Sequence, residues 1–167
     1  RSLPGARGQI FLEAAPATMT ASGRILKLVP ARLLLAEDDA ELRSLVAGRL
    51  REDGFEVVEV ADGNALVDRL ANAMTADGSL DGFDLVVSHV RMPGFALLFG
   101  LKDEAVFSAL EAITGLLRML ARTPVVLITA FGDPKTHERA KRLGAALVLD
   151  KPFDVDDLRT AICALLQ

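Results

Sequence analysis

Five positions carry the chemistry that this chain could do. Glu37 and Asp38 are adjacent acids that directly follow an apolar run, and His89, Thr129 and Lys151 each follow another such run. Neighbouring carboxylates at the end of a buried strand are costly unless a cation neutralises them. A hard divalent ion such as Mg2+ is one such cation, since it takes one or two carboxylates plus water and phosphate oxygens. Alternatively, Asp38 or Asp39 only caps the helix that follows. A hydroxyl at Thr129 and an amine at Lys151 tip the balance toward a site for metal and phosphate, in which the metal neutralises oxygen charge and Thr and Lys hold the remaining oxygens.

The elements that must position these residues are legible as alternating patterns. Leu33–Ala36, Glu56–Val60, Asp84–Ser88, Val125–Ile128 and Ala146–Leu149 are short apolar runs, the form expected of parallel strands buried on both faces. Between them lie helical patterns. The first is capped by Asp39, buries Leu42, Leu45, Val46 and Leu50, and ends at Gly54; the second, after a turn at Asp62-Gly63, runs through Ala65, Leu66, Leu70 and Ala73. A charged helix from Pro134 to Leu143 is closed by Gly144, and a last helix from Val155 to Leu166 buries Leu158, Ile162 and Leu165. Strands alternating with helices give an α/β parallel sheet covered on both sides. Right-handed crossovers bring all the C-terminal strand ends to one edge, where such folds place their sites.

Composition narrows the function classes. The 167 residues are 51% apolar and 25% charged, enough to build a core. A single cysteine, Cys163, excludes an internal disulfide scaffold. A net charge of −4 and an aromatic content of 5%, all Phe, leave little from which to make a nucleic-acid surface, so no direct nucleic-acid partner is expected. No apolar stretch is long enough to span a membrane, and the expected location is cytoplasmic. Residues 1–30 differ from the rest: they hold four basic residues against Glu13 alone and are rich in Ala, Gly and Pro. They read as an N-terminal extension, loosely ordered or contributing an added strand from Gln9–Leu12 or Ile25–Val29.

Four motifs, in order, resemble the receiver domain of two-component response regulators: Leu33-Leu34-Leu35-Ala36-Glu37-Asp38-Asp39, Asp84 to Gly94, Leu127-Ile128-Thr129-Ala130 and Asp150-Lys151-Pro152-Phe153. The resemblance covers residues 31–167. It implies a flavodoxin-like (CheY-like) doubly wound sheet of five parallel strands in the order 2-1-3-4-5. It implies further that Glu37 and Asp38 are the metal-binding acids, that the Arg91 carbonyl completes the metal shell, and that Thr129 and Lys151 contact the phosphoryl group. Pro152 matches a proline whose preceding bond is often cis.

The central match fails. Where the family has the Asp that accepts a phosphoryl group from a histidine kinase, this chain has His89. Losing an anion beside a divalent cation costs a few kcal/mol at an effective dielectric constant of about 20, so Mg2+ binding is expected to weaken and aspartyl phosphorylation to be absent. Val148, three residues before Lys151, stands where the family has the switching Tyr or Phe, and a β-branched side chain has little to swing. His89 either fills the pocket and bonds to Glu37 or Asp38, binds a transition metal with them, or titrates or accepts phosphate itself. His137 reads as solvated surface.

The connection from Gly94 to Pro124 is longer than in ordinary receivers. Phe95, Leu97, Leu98, Phe99 and Leu101 form an apolar run, followed by a helical stripe of Val106, Leu110, Ile113, Leu117 and Leu120. The run is either part of a lengthened helix packed on the sheet or a docking surface for a partner protein or a second copy. Thr75 to Gly82 reads as a polar loop. The whole predicts a non-enzymatic, receiver-like signalling module that requires no cofactor and engages a sensor kinase or downstream effector, as a stand-alone regulator or as part of a longer protein. Two other readings remain open: a phosphorelay receiver that keeps metal and phosphate binding, with phosphate on His89 or another residue, and a flavodoxin-like small-ligand or metal-binding protein. The latter lacks a glycine-rich phosphate loop after the first strand.

Overall fold

In a computed structural model, residues 8–10, 30–77, 79–90, 92, 122–130 and 134–167 are described. The chain runs β1 (Gly8–Ile10), β2 (Arg32–Ala36), α1 (Ala40–Glu52), β3 (Glu56–Val60), α2 (Gly63–Ala73), β4 (Leu85–His89), β5 (Val125–Thr129), α3 (Pro134–Arg142), β6 (Leu147–Asp150) and α4 (Val155–Leu165). The strands form one sheet in the order β1-β6-β5-β4-β2-β3. Strands β2 to β6 are parallel and give the expected 2-1-3-4-5 order when counted among themselves. The added strand β1 pairs antiparallel with β6, Gly8 opposite Leu149 and Ile10 opposite Leu147. The sheet therefore has six strands, the extra one contributed by the N-terminal extension slightly earlier than Gln9–Leu12.

Side chains alternate between the two faces along each strand. Leu33, Leu35, Leu85, Val87, Val126, Ile128 and Leu149 pack with Val46, Ala47 and Leu50 of α1 and with Leu158, Ala161 and Ile162 of α4. Their neighbours Leu34, Ala36, Val86, Leu127 and Val148 pack on the opposite face with Leu66 and Leu70 of α2 and with Ala140 of α3. Burial on both faces is why these strands lack polar alternation in the sequence.

Asp39 caps α1, its carboxylate accepting from the backbone N–H groups of Glu41 and Leu42 at 2.9 and 3.0 Å. Asp62 and Asp154 cap α2 and α4 in the same way. Gly54, at φ +87°, ends α1 in the left-handed region that L side chains disfavour. The turn returns the Phe55 N–H to the Leu50 carbonyl.

Leu45 departs from expectation: it is 52% exposed. At 100° per residue, the buried stripe of Val46, Ala47 and Leu50 is centred about 140° around α1 from Leu45, which faces solvent. In the Thr75–Gly82 segment the Asp77 carboxylate accepts from the Thr75 and Ser79 hydroxyls and pairs with Arg122 at 2.9 Å, while Leu80 departs from the expected polar loop and is buried in the core.

Candidate functional site at the C-terminal strand ends

The ladder register brings the chemical residues level. Ala36 pairs with Ser88 across β2 and β4, so the next residues, Glu37 and His89, stand side by side. His89 lies opposite Ile128, and Thr129 lies opposite Asp150. By alternation, Glu37, His89 and Lys151 share the parity of the face covered by α1 and α4, whereas Thr129 and Asp150 share that of the other face.

Glu37, at 1% exposure, is the buried anion of the site. The Lys151 ammonium donates to its Oε1 at 2.9 Å and lies 2.8 Å from its Oε2, although no hydrogen bond is directed at Oε2. The Asp39 N–H donates to Oε1 at 3.2 Å, and His89 Nδ1 stands 3.4 Å from it. Burial pushes the Glu37 carboxyl upward, but bonds from His89, Lys151 and the Asp39 backbone outweigh it and hold the group at about 2. Asp38 is more open, at 36% exposure, and its Oδ1 lies 2.6 Å from His89 Nδ1. The imidazole is 11% exposed. It thus sits against both acids.

Arg43 belongs to this cluster, and the sequence reading missed it. Its guanidinium donates to the Glu37 carbonyl at 2.7 Å and lies 3.6 Å from the Glu59 carboxylate, which fixes the β2–α1 turn. Its one signal was its position four residues after the cap Asp39, beside the buried stripe of α1.

Thr129 is buried at the end of β5, and its carbonyl accepts from the Lys151 N–H at 2.8 Å. The Lys151–Pro152 bond is cis. Val148 is fully buried in the core of the α2–α3 face. Arg91 and the run Phe95, Leu97, Leu98, Phe99 and Leu101 lie outside the described residues. His137 corrects its expectation of solvated surface: it is 12% exposed, with Nε2 2.8 Å from Asp150 Oδ1. Asp150 follows the parity of the face that α3 covers, and this brings the pair together across the element boundary.

One ligand atom each from Glu37, Asp38 and His89 lies within 4.8 Å of the others. Mg2+ demands a near-octahedral shell of oxygens at about 2.0–2.1 Å. Here the third donor is an imidazole nitrogen, one acid is tied to an ammonium and the other to that imidazole. This donor set departs from the all-oxygen shell that Mg2+ prefers.

A family description of the response regulator receiver domain matches residues 33–163. Among curated relatives, the transcriptional regulatory protein PdtaR of Mycobacterium tuberculosis is 36% identical over 135 residues, 80% of this chain and 56% of that protein. The transcriptional regulatory protein CpxR of Escherichia coli K12 is 32% identical over 136 residues, 81% of this chain and 49% of that protein. The chain spans about half the length of these relatives. Their names describe regulators of transcription, which lends no support to the expectation that the chain has no nucleic-acid partner. Among solved structures, the non-phosphorylated HemR receiver domain of Leptospira biflexa superposes with a TM-score of 0.61 at 25% identity, covering 82% of this chain and 94% of that one. TrrA of Thermotoga maritima, solved with Mg2+ and BeF, shares the fold with a TM-score of 0.60 at 20% identity, covering 81% and 99%. No helix among the described residues is long and apolar enough to cross a membrane. The matched span, the strand order and the acid and lysine positions at the strand ends agree: the chain belongs to the response regulator receiver domain family.

Proposed function

We propose that this receiver domain signals through protein–protein contact without forming an aspartyl phosphate. The observation that supports the reading is His89 at the end of β4, its Nδ1 2.6 Å from Asp38 and 3.4 Å from Glu37. An aspartyl phosphate at this position needs a carboxylate oxygen as nucleophile. The imidazole offers none, and it already engages the acids that would hold the metal. Mg2+ affinity is correspondingly weakened, and the module is non-catalytic and cytoplasmic. Val148, branched at Cβ and locked in the core, removes the aromatic lever by which a phosphorylated receiver would report its state.

Residues 31–167 act as the receiver-like unit and residues 1–30 as its extension. The partner, a sensor kinase or an effector protein, docks on the enlarged connection of about residues 94–124. In sequence, Phe95, Leu97, Leu98, Phe99 and Leu101 are an apolar run whose composition suits such a partner or a second copy.

Incubation with Mg2+ and acetyl phosphate, with the native chain beside a His89→Asp variant, tests the reading. The native chain should remain unlabelled while the variant takes up phosphate. Labelling of the native chain as readily as the variant would overturn the reading.

A further inference from the structure

We propose that Glu37, Asp38 and His89 bind a divalent transition ion of the Zn2+ class in preference to Mg2+. One imidazole and two carboxylates are a donor set suited to Zn2+ and its neighbours. In a tetrahedral site with bonds of about 2.0–2.2 Å, adjacent donors stand about 3.3–3.6 Å apart. His89 Nδ1 and Glu37 Oε1 are already at 3.4 Å. His89 Nδ1 and Asp38 Oδ1 are at hydrogen-bond distance, 2.6 Å, and must open by about 0.7 Å to admit an ion. Asp38 is exposed enough to make that movement, and the same opening admits the water that completes the shell.

Glu37 can ligate without abandoning Lys151. Its Oε1 now receives both the ammonium and the Asp39 N–H, while its wholly buried Oε2 lies 2.8 Å from the ammonium with no hydrogen bond directed at it. As Oε1 turns to the ion, the ammonium transfers to Oε2 and the carboxylate bridges the two cations. Lys151 thus holds the site together when it is empty and opposes the ion when it arrives, so binding is of moderate strength. The protons balance simply. A neutral imidazole carrying its proton on Nδ1 moves it to Nε2, whereas an imidazolium releases one proton to solvent.

The inference goes beyond the signalling reading, and its test is separate. The full chain, stripped with chelator, is titrated with Zn2+ by calorimetry in excess Mg2+. Co2+ serves as the spectroscopic probe, because its visible bands intensify in tetrahedral sites. Variants are His89→Asn, which keeps a hydrogen-bonding side chain, and Asp38→Asn, with His137→Gln and Cys163→Ser as controls for the other ligating residues. The expected result is one ion per chain, undisturbed by Mg2+, with affinity falling by more than about tenfold in His89→Asn and Asp38→Asn, the lower bound set by losses at outer-shell partners. Neither control should change it. Unchanged affinity in His89→Asn, loss in either control, or displacement of Zn2+ by Mg2+ overturns the proposal. Any of these, in a chain that acetyl phosphate still fails to label, would leave the signalling reading standing.

Discussion

Removing the ammonium from the buried pair should cost far more than removing the carboxylate. In Lys151→Met the aliphatic stem is kept, and Glu37 is left at 1% exposure with the Asp39 N–H at 3.2 Å and His89 Nδ1 at 3.4 Å as its partners. Stripping one partner from a buried ion pair costs about 3–5 kcal/mol. The depression of the Glu37 carboxyl from 4.5 to about 2 points the same way, since His89, Lys151 and the Asp39 backbone together favour its charged form. In Glu37→Gln the ammonium that remains is 22% exposed and can turn toward water. That loss should be nearer the 1 kcal/mol, roughly, of one ordinary hydrogen bond.

The pH dependence follows the same logic. Because the folded-state value is depressed, the stabilisation from Glu37 is complete above about 4.5 and is lost as pH falls toward about 2. With Lys151 gone, burial pushes the carboxyl back up and this acid-side loss shrinks. Urea unfolding of the parent and both variants, in chelator and from neutral to acid pH, measures both effects. If Lys151→Met costs no more than Glu37→Gln, or keeps the parent's full decline below pH 4.5, the account of Glu37 as a desolvated anion held by its lysine is wrong.

Further substitutions probe the frame around the site. Asp39→Ala removes the α1 cap and should cost about 1 kcal/mol in urea unfolding, with the larger consequence that the Glu37–Asp38 turn loosens. Gly54→Ala meets no neighbouring atom but places a Cβ at φ +87°, for an expected loss of about 1–2 kcal/mol by the same assay. Leu45→Lys should change the denaturation midpoint by no more than about 0.5 kcal/mol, since Leu45 faces solvent. A large loss there would mean that the leucine is covered.

The fold was legible because its strands are buried on both faces. Leu33-Leu34-Leu35-Ala36 can hardly be anything but an interior strand, and the acids that break the run mark where it emerges. The positions of Glu37, His89 and Lys151 at one sheet edge followed from that. What the sequence concealed depends on partners far apart in it. His137 looks like surface until Asp150, on another element, is seen to lie 2.8 Å away. Arg43 looks like an ordinary helix cation until its reach to the Glu37 carbonyl is known. Leu45 was misplaced because a broad apolar stripe does not reveal where its centre lies, and Ala47 shifted it. The strand Gly8–Ile10 has little propensity of its own; what defines it is the open side of β6.

That borrowed strand changes which flank of the sheet is available to other chains. With Gly8–Ile10 in place, the peptide groups on the outer side of Leu147–Leu149 are spoken for. An incoming chain that is to pair with Leu147–Leu149 themselves must first displace Gly8–Ile10. Without it, the bared flank would be a template for pairing with another copy. The edge left open on this side is then the outer side of Gly8–Ile10, a strand of three residues, and so short an edge offers little to pair with.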